Sequence, residues 1–450
     1  MSIKKTVLDA VTRFYLGSHD FIGMPIQTIL TDLALGPSAA QRALRVLLQE
    51  GMVSLNFGER HPNPHIKALE PGPKDEQMGT MTAWFQDKGD VAEQAMIYPV
   101  PDNAEITEIK AVFEPPSFCV YPTPLHLEAV VDRREYEGRP YTLRLALGAP
   151  QLSFQCFDLS ILEAYRNDPR YYYRNDDTHG RIYVASDYHA HMPEQDKAFL
   201  ETFGIAYDES FNRAIAVFLR YLRDLTPEHQ QAWRVKEVTG DYRLHPDYFR
   251  ANVLGDWPEG VSSLEAILGQ IRYINRLCEV IGRPPLFNNE IGEDDRPNDF
   301  TFLIRPTLRE FNGFVHTLDK LLSDSISRDF FGKDLAFERE QVRKDGKTVV
   351  SQKGTIQVLD EWLAAKYKVD DRTPIDEMIA TLKEVRTLRN KPAHSLKENI
   401  FDQQYFHQQR DLARKVLEAL RTLAQILAQH PKARKKPPTD PMASLKVWAY

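Results

Sequence analysis

The sequence predicts a multidomain α+β protein, with a helical N-terminal domain, a mixed β/α middle region and a C-terminal antiparallel helical bundle. Three observations predict this class. Apolar residues recur at helical spacing at both ends of the chain, residues 118–185 alternate as strands do, and polar segments rich in Pro, Gly and Asn separate these parts. A length of 450 residues suits two to four domains.

Changes in composition predict where these domains begin and end. The segment 69–117 is rich in Pro, Gly and acidic residues, and 282–299 is a polar break. We expect an N-terminal domain at residues 1–68 and a connector with a β-rich region at 69–195. A helical region at 196–295, a bundle at 296–430 and a basic, mobile tail at 431–450 should follow.

Bulk properties exclude few functions. A hydrophobic content of 42% is that of a folded protein, and no apolar run is long enough to suggest a membrane span. Three widely spaced cysteines without a C-x-x-C pair fit a reducing compartment, so a cytoplasmic location is expected. Because the net charge is −7, any contact with RNA or DNA must use a local basic patch or be a brief encounter with a substrate that is then released.

Residues 1–68 predict three helices followed by a hairpin. Three apolar stripes at helical spacing precede Gly51, and MVSLNF after it forms a short strand. This order resembles a winged helix-turn-helix domain, with the third helix as recognition helix and residues 52–67 as the wing. Arg42 and Arg45 on the outward face of that helix would contact DNA, although such domains also bind proteins, so a DNA or protein trigger is expected here.

In the middle region, the pattern predicts strands first and helices afterwards. HLEAVV and YTLRLAL, joined by a polar turn, alternate as a strand–turn–strand unit, and QLSFQCF and RIYVASD predict further strands. From about residue 195 the spacing becomes helical, in AFLETFG, FNRAIAVFLRYLRDL and LEAILGQIRYINRLCEVIG. We therefore expect a β-rich part followed by a helical part.

Two clusters in the middle region could carry chemistry, but a structural role accounts for each more simply. His189 and His191 lie where a strand gives way to a loop, and no third strong ligand is identifiable, so we expect neither a metal site nor a cofactor. Three tyrosines between Arg170 and Arg174 could stack bases and hold phosphates. A strand with one buried face shows the same composition, and we favour that interpretation.

The last third of the chain, from about residue 300 to 430, predicts a four-helix bundle. Apolar positions from Ile304 to Leu322 follow alternating steps of four and three residues, which indicates one long amphipathic helix. Three further amphipathic helices follow, the second of them opened by Pro374. Helices of this kind with short links predict an antiparallel bundle.

The third helix of this bundle ends in the sequence LRNKPAHS. Pro392 cannot donate to the helical ladder and disfavours helical geometry at Lys391, so we expect the helix to break there. Arg389 and Asn390 then lie near the helix end, and His394 follows just beyond the break. A permanent cation, an amide and a titratable imidazole are therefore close together along the chain.

This trio suits the cleavage of RNA by attack of its own 2′-hydroxyl. The reaction needs a group with a pKa near neutrality to move protons, which histidine provides. It also needs a cation to stabilise charge on the phosphoryl oxygens, which arginine provides. No metal is required, because the nucleophile is already tethered beside the phosphorus.

The six residues from Arg389 to His394 match R-x4–6-H with Asn directly after the Arg, and the bundle resembles a HEPN domain. The resemblance implies a metal-independent endoribonuclease that leaves 2′,3′-cyclic phosphate ends, with Arg389, Asn390 and His394 as catalytic residues. It implies a homodimer, in which two motifs face each other in one cleft. Arg386 and Lys391 would hold flanking phosphates of the RNA substrate. Proteins of this kind are typically toxins or antiphage abortive-infection effectors.

The motif at Arg389 is compatible with more than one function. R-N-x-x-x-H also occurs from Arg174 to His179, and R-x4-H from Arg60 to His65, both outside amphipathic helices. A solvated helix end, with cations beside the negative end of the dipole, also accounts for Arg389. One alternative is a non-catalytic DNA-binding regulator whose bundle serves as a dimerisation module. Another is a HEPN partner protein that binds a nucleotidyltransferase.

Overall fold

A computed structural model of the protein gives a mixed α+β structure with helices at both ends and an antiparallel sheet in the middle region. None of the helices in the described ranges combines the length and apolar character needed to cross a bilayer. The structure describes residues 2–57, 72–86, 94–98, 109–113, 118–256, 260–289, 291–292, 296–342, 348–368, 370–390, 398–439 and 445–448.

The N-terminal region combines helices with a small antiparallel sheet. Its elements are α1 Ile3–Gly17, β1 Met24–Pro25, α2 Ile26–Asp32, α3 Pro37–Gln49, β2 Val53–Phe57, α4 Lys74–Gln86, β3 Gln94–Tyr98, β4 Ile109–Phe113 and β5 Phe118–Pro122. The sheet order is β1-β5-β2, and β3 pairs with β4. The three helices and the strand predicted within residues 1–57 are confirmed, and β5 completes their sheet.

Local sequence explains why α3 forms and how it is oriented. Pro37 occupies the first turn, where its missing N–H costs nothing, and Gly51 adopts a left-handed φ of +71° after the helix. Leu44 and Leu47 are buried in the core of this region. The side of α3 that carries Arg42 is exposed to solvent.

The middle region is built around an antiparallel sheet in the order β6-β10-β9-β8-β7, with β11 beside β9. Because β9 pairs with β8 and β10 pairs with β6, this sheet runs through the boundary predicted near residue 195. The elements of the region are α5 Pro124–Val130, a 3₁₀ turn Arg133–Tyr136, α6 Pro140–Ala146, β6 Phe154–Phe157, α7 Glu163–Arg166, β7 Tyr171–Asn175, β8 His179–Val184, α8 Ser186–His189, β9 Phe199–Tyr207, β10 Arg213–Phe218, α9 Leu219–Leu222, α10 Pro227–Val235, β11 Arg243–Leu244 and α11 Pro246–Phe249.

The predicted strand–turn–strand unit in this region is wrong. HLEAVV and YTLRLAL lie largely within the helices α5 and α6. Pro124 and Pro140 occupy first-turn positions, and the side chain of Thr123 caps α5 by accepting a hydrogen bond from the backbone N–H of His126. These start signals outweigh an alternation of apolar residues that extends over only a few positions.

The helices predicted for AFLETFG and FNRAIAVFLRYLRDL are also wrong. Strands β9 and β10 occupy most of these segments, and the short helix α9 follows. The residues from Thr202 to Tyr207 are all buried, because both faces of the strand are covered. The period of two that marks a half-exposed strand is then absent, so the pattern does not separate strand from helix.

The C-terminal region is a helical bundle, as predicted. Its elements are β12 Gly260–Ser262, α12 Ser263–Ile281, α13 Leu308–Leu321, β13 Glu338–Val342, β14 Thr348–Gln352, α14 Thr355–Lys366, α15 Thr373–Asn390, α16 Gln404–Ala428, α17 Pro431–Lys435 and β15 Lys446–Trp448. Helices α13 to α16 are the four predicted ones. Helix α12 packs along α16, so the bundle core extends into the region 196–295.

Helix α13 is shorter than predicted. It begins at Leu308 rather than near Ile304, because Pro306 precedes it and the side chain of Thr307 accepts a hydrogen bond from the backbone N–H of Glu310. Ile304 is buried in the core of the middle region instead. The helical spacing of apolar residues therefore extends to residues that precede the true start of the helix.

The tail, which the sequence predicts to be mobile, is docked where the structure describes it. Helix α17 lies against α12, and β15 pairs in parallel with β12. The indole N–H of Trp448 donates a hydrogen bond to the carboxylate of Asp247 in α11 at 2.7 Å. The end of the chain therefore connects the bundle to the middle region.

A buried carboxylate joins the sheet to the bundle. Asp177 lies in the turn between β7 and β8 with a left-handed φ of +69°. It accepts hydrogen bonds from the Ser262 hydroxyl at 2.6 Å, from the Arg296 guanidinium and from the backbone N–H of Phe302 at 3.2 Å. Because Ser262 is the N-cap of α12, the same carboxylate also anchors the first bundle helix.

We predict that Asp177→Ala lowers the free energy of unfolding by about 3–5 kcal/mol, because Arg296 is left buried without its close charge partner. Urea denaturation of both proteins measures the change. Asp187→Ala, at an exposed position in α8, is the matched control and should change stability by less than about 0.5 kcal/mol. Equal effects of the two substitutions would contradict the role of Asp177.

Candidate functional site

The C-terminal end of α15 carries the predicted motif. The helix packs its apolar face into the bundle core and is described as far as Asn390, so the predicted break at Lys391 lies outside the described residues. Arg389 is half-buried in the last turn, and Asn390 is exposed. Lys391 and His394, the other two predicted site residues of this segment, lie outside the described residues.

Two arginines and two aspartates meet where the ends of α15 and α13 lie side by side, and we call this group the charge cluster. It consists of Arg386, Arg389, Asp319 and Asp324. The side chain of Asp319 is fully buried, whereas those of Arg386 and Arg389 are 30% and 29% exposed. Asp319 is therefore sealed from solvent, whereas Asp324 and both arginines are partly exposed.

The distances within the charge cluster distinguish the two arginines. Arg386 donates a hydrogen bond to Asp324 at 2.7 Å and lies 3.2 Å from Asp319. Arg389 lies 3.5 Å from a carboxylate oxygen of each aspartate and donates no hydrogen bond to the described part of the chain. The guanidinium of Arg389 is held in place electrostatically, and its N–H donors can serve an incoming anion.

Burial perturbs Asp319, the sealed acid of the charge cluster. It raises the pKa of the Asp319 carboxyl above its ordinary value, since loss of solvent disfavours the charged form, while the guanidinium of Arg386 opposes the shift. The nearby carboxylate of Asp324 raises this pKa further. A buried acid beside two cations is stable only while both cations stay close, which favours a fixed position for Arg389.

The segment that follows α13 is fixed by hydrogen bonds on both sides of Asp324. The Thr355 hydroxyl donates to the carbonyl of Ser323 at 2.6 Å. The hydroxyl of Ser325 accepts from the backbone N–H of Asn289 at 2.7 Å. Both serines are buried, so the carboxylate of Asp324 is presented by a well-packed turn.

Asp319 and Asp324 are not among the site residues that the sequence predicts. Asp319 lies four positions after Val315 on the inward face of α13, and an acidic residue at such a position needs a partner. That spacing was the available signal. Asp324 lies in a turn and carries no comparable pattern.

The remaining predicted site residues lie elsewhere. Arg42 and Arg45 are exposed on α3, and Arg45 donates a hydrogen bond to the hydroxyl of Thr82 in α4 at 3.4 Å. Helix α4 therefore covers one side of α3. The structure places these arginines in the N-terminal region and the charge cluster in the bundle.

The tyrosine and histidine clusters of the middle region differ in their surroundings. Tyr173 is buried, and Tyr172 stacks on Tyr183 with ring centroids 4.4 Å apart, which favours a packing role for the tyrosine run. His189 and His191 are exposed around the end of α8. Within the described ranges, no three His, Cys, Asp or Glu side chains are grouped so that they could hold a metal ion.

Comparisons with protein-family models, with curated proteins and with solved structures found no match for this chain. The contacts of the charge cluster are therefore the basis for a functional assignment.

We predict that Asp319→Asn gains stability relative to the parent protein as the pH rises from about 4 to 7. A carboxyl whose pKa is raised by folding stabilises the folded state most when protonated. Its contribution to the free energy of unfolding is lost as the pH rises from the ordinary aspartate value of about 3.9 through the raised value. Asparagine does not ionise and avoids this loss.

Thermal unfolding of both proteins across this pH range measures the difference. Asp329→Asn, at an exposed position after α13, is the matched control and should follow the parent at every pH. A difference in Tm between the Asp319 variant and the parent that stays constant or shrinks with rising pH would contradict the raised pKa.

Proposed function

We propose that the protein is a metal-independent endoribonuclease with Arg389, Asn390 and His394 in its active site. One observation carries the proposal. Arg389 lies in the last turn of α15 beside a buried aspartate, and its guanidinium donates no hydrogen bond to the described residues. A histidine follows five residues later in the sequence, which supplies the proton-transfer group that such a site needs.

Each residue has a separate role in the proposed reaction. The 2′-oxygen of the RNA bonds to phosphorus while the bond to the 5′-oxygen breaks, which leaves a 2′,3′-cyclic phosphate and a 5′-hydroxyl. His394 accepts the proton of the 2′-hydroxyl or delivers one to the leaving oxygen. Arg389 stabilises the charge that develops on the phosphoryl oxygens, and Asn390 orients the phosphate or the imidazole.

The charge cluster supports the role of Arg389. Asp319 and Asp324 act as positioning residues, because they restrict the guanidinium before substrate arrives. Arg386, predicted to bind a flanking phosphate, is engaged by the same aspartates and contributes through its charge. Lys391 keeps the predicted phosphate-binding role in this proposal.

The proposal includes a homodimer that brings two motifs into one cleft. Ile400 and Phe401, which follow the motif segment and precede α16, are both exposed large apolar residues. Exposed large apolar side chains support an interface with a second copy. A toxin or an antiphage abortive-infection effector is the biological role that we propose for such an enzyme.

We predict that Arg389→Ala and His394→Ala each lower the rate of RNA cleavage by at least about 10²-fold, because each removes one electrostatic or proton-transfer contribution. RNA is incubated with each protein in EDTA, and the product ends are analysed for 2′,3′-cyclic phosphate. Arg276→Ala, at an exposed position in α12, is the matched control and should cleave at the parental rate.

Thermal unfolding shows whether each variant is folded. Undiminished cleavage by either the Arg389 or the His394 variant would defeat the catalytic assignment. Loss of parental cleavage in EDTA would contradict the metal-independent mechanism.

A second candidate function is a non-catalytic DNA-binding regulator. The order of helices and strands from α1 to β5, with the sheet order β1-β5-β2, supports a winged helix-turn-helix assignment. Arg42 and Arg45 lie about one turn apart on the exposed side of α3. The predicted wing, residues 52–67, is described only as far as Phe57, and the bundle would serve for dimerisation.

We predict for this second function that Arg42→Ala/Arg45→Ala weakens binding of duplex DNA on the order of tenfold, because two phosphate or base contacts are lost. Fluorescence anisotropy with a labelled duplex measures the affinity. Arg13→Ala, at an exposed position in α1, is the control and should bind as the parent does. Unchanged binding by the double variant would contradict the DNA-binding role of Arg42 and Arg45, and RNA cleavage by the parent would exclude a purely regulatory protein.

A further inference from the structure

A groove in the middle region is lined by arginines, and we call it the arginine groove. It lies between the 3₁₀ turn Arg133–Tyr136, helix α6 and helix α10, and has a volume of about 600 Å³. The basic side chains that line it are Arg133, Arg134, Arg139, Arg144 and Arg234.

Two of these arginines are exposed and have no ion-pair partner within the described ranges. Arg139 immediately precedes α6, and Arg234 lies in the last turn of α10, so each of the two helices contributes one such cation. A third, Arg144, pairs with Glu237 at 3.0 Å. Two unneutralised guanidinium groups create a local positive field in a protein whose net charge is −7.

The other two arginines have weak intramolecular partners. Arg133 pairs with Glu128 and Arg134 with Asp132, and the arginine side chains are 57% and 89% exposed. Ion pairs between exposed groups contribute little, because solvent screens them and the side chains lose freedom. A phosphate that enters the groove can therefore recruit both guanidinium groups.

An aromatic residue lies among these cations. Tyr136 is half-buried and lines the groove together with Leu143 and Leu147. Arginines interleaved with an aromatic ring suit single-stranded nucleic acid, since the guanidinium groups bind phosphates while the ring stacks with a base. Glu137, the acidic residue that also lines the groove, reduces the positive field.

The walls of the arginine groove are held by contacts that do not involve Arg139 or Arg234. The buried side chain of Gln230 in α10 accepts from the backbone N–H of Tyr141 at 3.2 Å and donates to the hydroxyl of Thr142 at 3.1 Å. Gly138 has a left-handed φ of +77° beside Pro227, which allows the tight turn before α6. Substitution of the exposed arginines should therefore leave the fold intact.

We propose that the arginine groove binds the phosphodiester backbone of a single strand of nucleic acid. A single strand exposes its bases to Tyr136, whereas a duplex keeps them stacked inside. RNA and DNA share the phosphate chemistry that Arg139 and Arg234 recognise. The groove is separate from the Arg389 motif, and its binding does not require that the motif cleaves RNA.

The experiment uses the full chain and a fluorescein-labelled uridine strand with 2′-O-methyl groups, which cannot be cleaved by 2′-hydroxyl attack. Anisotropy titrations at several salt concentrations give the affinity and its salt dependence. We expect Arg139→Gln/Arg234→Gln to weaken binding on the order of tenfold. The slope of log K against log salt should decrease in magnitude by about 1.4, which is about 0.7 for each of two lost phosphate contacts.

Matched variants test whether the effect belongs to the groove. Arg276→Gln/Lys333→Gln removes the same charge from exposed positions in the C-terminal region and should bind as the parent does. Glu137→Gln should tighten binding, because it removes the negative charge from the groove. Equal weakening in both double variants, or no weakening in either, would overturn the proposal.

Competitors identify the ligand. Unlabelled single-stranded RNA or DNA should displace the probe, and their relative strength tells which sugar is preferred. Displacement by duplex DNA or by polyglutamate at least as effective as that by the single strands would overturn the assignment to single-stranded nucleic acid. Because the probe resists cleavage, this result is independent of whether the proposed nuclease activity is found.

Discussion

The arrangement of the sheet relative to the bundle depends on the hydrogen bonds that the Asp177 carboxylate accepts. Its partners Ser262 and Arg296 come from segments far apart in the chain, and the acid itself sits in a left-handed turn. The nearby pair between Arg166 and Glu310, at 3.0 Å and largely buried, crosses the same boundary. Buried charges that lose one partner are costly, so these contacts favour a single arrangement of the two regions.

This junction connects the middle region to the proposed active site through packed elements. The hydroxyl that Asp177 binds caps α12, and α12 packs along α16. Helix α15, which carries Arg389, packs against both α16 and α13. The charge cluster then fixes the end of α15 against α13 through a second buried acid, Asp319. In both regions, a buried carboxylate thus holds an arginine in one position.

The distribution of charge explains how an acidic chain could bind nucleic acid. The charge cluster is balanced, with two cations and two acids, so Arg389 there is a local contact and not part of a broad basic surface. The arginine groove is the more basic of the two sites, and the hydrogen bonds of Gln230 join the helices that carry its arginines. In the proposed enzyme, the groove would bind the strand and the motif would carry out the chemistry.

What the sequence by itself determined were elements with local start and stop signals. The helices α1 to α3 follow from proline, glycine and apolar spacing, which act between near neighbours. Only the tertiary structure decided that β9 and β10 are strands, because burial on both faces removes the period of two. The tertiary structure alone also placed Asp319 beside Arg389 and brought Arg139 close to Arg234. Packing brings together residues that are distant in sequence, and such proximity produces no periodic pattern in the sequence.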